Sequence, residues 1–238
     1  YNGLKYIDSF VLITKQMKDQ LGIGDRPFIV IEGIVNSENI QKTKGSNLKG
    51  EKRNPSIVYT GTLNKKYGIE NLLHAFSMIE NKNAQLIICG RGDSEGYVKE
   101  HSDNDSRVKY LGQLTNEEAE KIQKSATVLV NPRQNNEEFT KYSFPFKNME
   151  YLLSGRPVVA YKLDGIPDEY DRYFFYVEDN SINSLTKTMD KVLNLTEKER
   201  TEFGLKAQEF VSKEKNCRKA GEKIVDMLKR ASNTNSCK

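Results

Sequence analysis

No run of apolar residues approaches the eighteen or so that a membrane span needs, and no secretory signal is visible, so a soluble, cytoplasmic chain is the expectation. Cysteine is scarce. Cys89, Cys217 and Cys237 are odd in number and far apart, without Cys-x-x-Cys spacing, which indicates neither a disulfide framework nor a zinc site. Cys89 closes an apolar run and reads as a reduced core thiol. Histidine is scarcer still: His74 and His101 alone give no support to a histidine metal cluster or a Ser-His-Asp triad, and no metal is expected. His74 lies on an apolar helix pattern and reads as a packing residue, whereas His101, among charges, reads as solvated. Two phosphate motifs are also missing. No Gly-x-x-x-x-Gly-Lys-Ser/Thr occurs and no Gly-x-Gly-x-x-Gly opens a helix after the first strand, which removes a P-loop NTPase and a standard dinucleotide dehydrogenase. Nor does one sign of charge dominate. Thirty-seven basic against 33 acidic residues leave a net charge of +4, a mild excess that suits an anionic small molecule or a membrane surface and does not resemble a nucleic-acid footprint.

What is present is an alternation of strand and helix patterns. SIVYTG, AQLIICG, RVKYLG, ATVLVNP, RPVVAY and FFYVE are short, rich in Val, Ile, Leu and aromatics, and mostly end in Gly or Pro, as central parallel strands do. Between them GIENLLHAFSMIE, SEGYVKEHSDN and TNEEAEKIQKS read as helices, the last opened by a capping box of Thr115 and Glu118. The order predicts an α/β fold: a doubly wound, Rossmann-like parallel sheet over residues 55–232. Three more helices are expected near Ile182–Leu193, Thr196–Phe210 and Lys213–Arg230, with a second capping box at Thr196 and Glu199 and a frayed tail over 233–238. At the front, SFVLIT, KQMKDQLGI and PFIVIEG give a strand, a helix and a strand. A polar linker over 38–54 separates them from the main sheet. So few elements cannot cover both faces of a sheet, and residues 1–37 read as the remnant of a larger N-terminal domain, a reading to which the non-methionine start at Tyr1 also inclines.

Ligands of open doubly wound sheets sit beyond the carboxyl ends of the strands. The segments to inspect are therefore Gly61–Lys66, Gly90–Asp93, Gly112–Leu114 and the stretch from Asn131 to EFTKYSFPFKNMEYLLSG. A glycine after a strand lets backbone N–H groups approach an oxyanion, and lysines a few residues on supply charge for phosphate.

These segments, in order, resemble the C-terminal half of family-four, GT-B-fold glycosyltransferases. The resemblance runs through DSFVLITKQMKDQL, VIEGIVN, IVYTGTLNKKYGIENLLHAF, LIICGRGD, VKYLGQLTNEEAEKIQKSATVLVNPR and FPFKNMEYLLSGRPVVAY. It implies a nucleotide diphosphate sugar as donor substrate, no cofactor, and a glycan or lipid-linked saccharide as acceptor, met largely by the N-terminal domain. It also implies hexosyl transfer, of the retaining type, in polysaccharide or cell-envelope synthesis, carried out in the cytoplasm with peripheral association at the inner membrane face. A lone donor half would be inactive in transfer.

Carried onto matching positions, the resemblance makes Glu150 the ribose-binding glutamate, since a carboxylate accepts from both hydroxyls of a diol. The competing reading is a surface glutamate paired with Lys147 one turn earlier on the helix. Lys65 and Lys66 become the diphosphate candidates, Lys66 at the nearer spacing, with Gly61 ahead of them. Arg133 and Lys141 could add diphosphate contacts. Pro145 fits a first helical position, so Ser143 and Phe144 fall at a helix N-terminus facing the donor, with Ser143 expected to cap it. The family's earlier glutamate would fall at position 142, where this chain has Tyr142; Glu138 is the nearest preceding acid. Either Glu138 or Tyr142 is then the candidate catalytic group. Two other readings stay open: a GT-B sugar-nucleotide epimerase, and a non-catalytic nucleotide-sugar-binding or scaffold domain.

Overall fold

The computed structural model describes residues 3–36 and 54–235. The expected linker lies outside the described residues save for Asn54. Six strands form one parallel sheet: β3 (Ser56–Thr60), β4 (Gln85–Cys89), β5 (Val108–Tyr110), β6 (Val128–Asn131), β7 (Val158–Ala160) and β8 (Phe175–Tyr176), in the spatial order β5-β4-β3-β6-β7-β8. All six coincide with the expected strand segments. Their inward runs bury Ile57, Val58, Leu86, Ile88, Leu129, Val130 and Val159 at 2% exposure or less. A parallel sheet covered on both faces demands such continuous apolar strands.

Helices α2 (Ile69–Ser77), α3 (Glu95–Asn104), α4 (Asn116–Ser125) and α5 (Phe146–Leu153) link successive strands, and α6 (Ile182–Asn194), α7 (Glu197–Glu214) and α8 (Cys217–Asn235) follow the sheet. Both expected capping boxes form, Thr115 with Glu118 and Thr196 with Glu199. α8 runs to Asn235, with neither Gly nor Pro to stop it beyond Gly221. No described helix is long and apolar enough to cross a membrane.

The front segment builds a separate two-stranded parallel sheet of β1 (Phe10–Leu12) and β2 (Phe28–Val30) over a small core of Phe10, Leu12 and Ile23. The helix expected between them shrinks to one turn, α1 (Met17–Gln20), because Gly22 and Gly24 take positive φ and turn the chain back. Val11 and Ile13, on the other face of β1, are about half exposed.

The front segment is tied to the rest by a buried ion cluster. Lys215, between α7 and α8, lies 3.1 Å from Glu32 and 2.6 Å from Glu169, and its backbone carbonyl accepts from Val35 N at 2.8 Å. The expected packing role of His74 is not what the fold gives it: its side chain faces outward from α2 and meets Tyr97.

Candidate functional site

The sheet order reverses between β3 and β6: chain connections run one way from β3 to β4 and β5, and the other way from β6 to β7 and β8. At such a switch point the loops after the two strands part and leave a crevice. That rule puts the crevice at the loops Gly61–Tyr67 and Asn131–Pro145, the second of which leads into the N-terminus of α5.

Three side chains of α5 fix it against the ends of these strands. Tyr151 Oη accepts from Thr60 N at 2.8 Å and donates to Thr60 O at 3.0 Å. One turn earlier, Lys147 Nζ donates to Tyr59 Oη at 2.6 Å, and Tyr59 Oη donates in turn to Thr62 O at 2.7 Å. Asn131 Nδ2 donates to Asn148 Oδ1 at 2.7 Å, holding the end of β6 to the same turn. Lys147 Nζ also lies over Gly61, where an added Cβ would come within 2.6 Å of it at a φ of +139°. Glycine at 61 therefore makes room for the ammonium group.

Arg133 stands beside Lys147 and packs flat on Tyr67, its guanidinium 4.0 Å from the ring centroid and 5.6 Å from that of Phe139. Lys66 reaches the same two rings at 5.5 and 5.3 Å. Burial lowers the pKa of Arg133, and burial together with the Arg133 charge pushes Lys147 down to about 7. Among the described residues neither Arg133, Lys66 nor Lys147 has a carboxylate in ion-pair contact, while the surface lysines Lys99, Lys121 and Lys124 all do. Cation–π contact offsets part of the desolvation of such groups. The remainder is a positive crevice whose cations have no carboxylate in ion-pair contact among the described residues, Glu150 acting on Lys147 only at longer range. Lys65 is placed apart from it, paired with Glu70 at 3.3 Å, while its backbone N–H donates to Asp93.

Glu150 occupies the outer side of α5, in line with the half-exposed Phe146. It does not pair with Lys147. Among the described residues it has no ion-pair partner, and it lines a cavity of about 270 Å³ with Ile34, Asn116, Gln123, Phe146 and Leu153. Partial burial raises its pKa, and the Lys147 charge opposes the rise.

The segment Glu138–Tyr142 forms a 3-10 turn at the crevice mouth. Glu138 and Lys141 project into solvent, and Tyr142 is half-buried. The turn is held from beneath: Thr140 Oγ1 donates to Asn135 Oδ1 at 3.0 Å, and Asn135 Nδ2 donates to Asp164 at 2.8 Å. Two expectations change here. Pro145 is the residue before the first helical position, and Ser143 does not cap α5; its Oγ is buried with no hydrogen-bond partner. Phe144, expected at the donor-facing helix N-terminus, has its side chain in the core at 7% exposure, 5.2 Å from the Tyr170 ring. Its apolar ring gains more from burial there than at a wet rim. Tyr59, Tyr67, Phe139 and Asn148 belong to the crevice without having been expected there. Only the continuous apolar run of SIVYTG could have signalled Tyr59 as a buried strand residue, and it gives no hint of the Lys147 contact.

The description "glycosyl transferases group 1" matches residues 39–210 of the 238. The chain belongs to this family. An uncharacterized glycosyltransferase of Methanocaldococcus jannaschii is 27% identical over 144 residues, 58% of this chain and 35% of that protein. The fold is similar to that of a Staphylococcus aureus TarM mutant in complex with fondaparinux, α-GlcNAc-glycerol and UDP, at a TM-score of 0.73 and 17% identity over 94% of this chain and 44% of that one. Sucrose-phosphate synthase from Thermosynechococcus elongatus gives a TM-score of 0.72 at 18% identity, covering 97% of this chain and 60% of that one. Anabaena HepE in complex with UDP gives 0.66 at 18% identity, covering 97% and 64%. The six-stranded sheet is thus a Rossmann-like domain of the GT-B type. The chain spans about a third of the archaeal family member and under half of TarM.

Proposed function

We propose that this chain is the donor-binding half of a glycosyltransferase that moves a hexose from a nucleoside diphosphate to a hydroxyl of a glycan or lipid-linked saccharide. The observation that carries the reading is the pair Arg133 and Lys147: two neighbouring, largely buried cations with no carboxylate in ion-pair contact among the described residues, in the crevice where the α5 N-terminus opens. Burial disfavours both charges and the Arg133 charge further disfavours that of Lys147, and a diphosphate relieves both. During transfer the same groups stabilise the charge that grows on the leaving diphosphate. Lys66 extends the positive surface outward, and the free N–H groups of α5 add to it.

In this reading Glu150 accepts from the ribose hydroxyls, and the nucleoside occupies the adjoining cavity between α4 and α5. The sugar then points toward Glu138, Lys141 and Tyr142. UDP in the TarM and HepE structures supports a nucleoside diphosphate as ligand class, and TarM's saccharide ligands support a saccharide acceptor; the role we propose for the transfer is in cell-envelope polysaccharide synthesis. The acceptor face belongs to an N-terminal domain of which residues 1–37 are part, joined through a linker at 38–54; the exposed Val11 and Ile13 offer it a surface. The enzyme works with retention, needs no cofactor, and acts in the cytoplasm at the inner membrane face. This chain alone binds donor and transfers poorly.

Calorimetry with UDP and GDP on this chain and on Glu150→Ala tests the reading: binding to one nucleotide, weakened in the variant, is the expected result. Absence of binding to both by the folded chain removes it. A second reading, a non-catalytic nucleotide-sugar-binding domain, is favoured by Tyr142 at the position of the early glutamate. Donor hydrolysis by the full-length protein argues for the transferase; tight binding without turnover, acceptor extracts included, argues for the non-catalytic domain.

A further inference from the structure

A lysine amine is a nucleophile only when it is free of its proton, and a neighbouring cation or apolar surroundings favour that form. Lys147 has both. Its Nζ lies 3.9 Å from the centroid of the Tyr59 ring and above the bare backbone of Gly61. Arg133 is the neighbouring charge, and among the described residues no carboxylate is in ion-pair contact with the amine. The surface lysines Lys99, Lys121 and Lys213 differ. Each holds a glutamate one turn back on its helix, at 2.8, 2.9 and 2.5 Å, and that bond raises its pKa.

The direction of the hydrogen bond to Tyr59 also leaves the amine able to react. Tyr59 Oη gives its own proton to Thr62 O at 2.7 Å, so at 2.6 Å it accepts from Lys147 Nζ. An amine that donates N–H in this way keeps its lone pair. The groups facing it are Tyr59 at the end of β3, Arg133 after β6, Glu150 on α5 and, past the Tyr59 ring, Tyr67 of the following turn. Burial and Arg133 lower the pKa of Lys147 and Glu150 opposes them. Burial raises that of Tyr59, which stays a neutral phenol.

We propose that Lys147 is a covalent modification site for small phosphorylated aldehydes, its amine forming an imine with the carbonyl carbon while Arg133 holds the phosphate. In the step the Nζ lone pair attacks the carbonyl carbon, a C=N bond replaces C=O, and the oxygen departs as water with the two amine hydrogens. Neither an oxidant nor a reductant is needed, and water reverses the reaction. Arg133 suits the phosphate because its planar guanidinium, stacked 4.0 Å from the centroid of Tyr67, presents a fork of donors that no carboxylate among the described residues engages. The imine fills the crevice and takes Lys147 away from a diphosphate, which makes such aldehydes reversible inhibitors. The inference rests on the donor reading only in that the crevice takes phosphate; it needs neither nucleotide nor sugar.

The test incubates the folded chain with pyridoxal 5′-phosphate at about pH 7.5, fixes the imine with borohydride and maps the label by peptide mass spectrometry. Besides the α-amino group that every chain carries, one label is expected, on Lys147. Lys147→Met should lose it and Lys121→Ala should keep it. Arg133→Ala, or pyridoxal without its phosphate, should lower the apparent affinity at Lys147 by about tenfold or more. Labelling of Lys147 should rise through about pH 7 and then level off, whereas surface lysines gain label only toward about pH 10. Thermal melting of each variant confirms that it is folded. Label spread over the surface lysines without preference for Lys147 overturns the proposal, and so does equal labelling by pyridoxal and its phosphate. Nucleotide calorimetry on the unlabelled chain reports on the donor reading separately, so either can fail without the other.

Discussion

Lys147 Nζ donates to Tyr59 Oη at 2.6 Å, joining the first turn of α5 to the end of β3 across 88 positions of sequence. The contact sets the ammonium group beside Arg133, in surroundings that push its pKa down to about 7. A free lysine titrates near 10.4. Between these values the unfolded chain holds a proton that the fold has released, so fold stability rises with pH from about 7 toward 10 and loses this contribution below 7. A bound diphosphate acts in the opposite sense, because it favours the charged ammonium. Nucleotide binding near pH 8 should therefore take up protons. Calorimetry in two buffers of different ionisation enthalpy measures the uptake, and Lys147→Met should abolish it.

Gly61→Ala should damage both fold and site. The residue sits at φ +139°, and the added Cβ would meet Lys147 Nζ at 2.6 Å. Backbone strain of this kind costs about 1–3 kcal/mol, which for a chain of this size lowers Tm by roughly 2–12 °C. Displacement of Lys147 should weaken nucleotide binding as well. A variant with unchanged Tm and unchanged affinity would show that Gly61 is not under this constraint.

Lys215 is a stability residue of a different kind. Its side chain and that of Glu32 are each 3% exposed and pair at 3.1 Å, with Glu169 at 2.6 Å on the other side. Lys215→Met leaves a buried carboxylate unpaired, an expected loss of about 3–5 kcal/mol in urea denaturation. Adding Glu32→Leu removes the orphaned charge and should recover most of that loss. If the double variant is no better than the single one, packing against Tyr170 and Phe210 matters more than charge.

The fold was legible where the signal is local. Alternating or continuous apolar runs marked all eight strands, and Thr115 with Glu118 and Thr196 with Glu199 announced two helix starts that form as read. α1 is shorter than the helix expected over KQMKDQLGI, since Gly22 and Gly24, both visible in the sequence, take positive φ and reverse the chain. The site was legible in outline only. Sequence reading named Gly61, Lys66, Arg133, Lys147 and Glu150; the fold brings the first four together at the strand ends and the start of α5, and sets Glu150 on the outer side of that helix. Spacing favours Lys66 over Lys65 but gives no physical cause: a neighbouring helix captures Lys65 through Glu70, while Lys66 turns to Phe139. Nor could it send Phe144 inward to Tyr170, or bring His74 to Tyr97. Those partners are chosen by tertiary packing, which local pattern does not encode.

The most direct measurement is the titration of UDP and GDP into the folded chain, its Arg133→Ala and Lys147→Met variants, and the surface control Lys121→Ala. Loss of a charge-assisted contact is worth about 1.5–3 kcal/mol, or roughly a ten- to hundredfold loss of affinity. The expected result is binding of one nucleotide, weakened by that factor in each crevice variant and unchanged in the control. Equal affinity in all four proteins, or no affinity in the folded chain, would contradict a diphosphate site between Arg133 and Lys147.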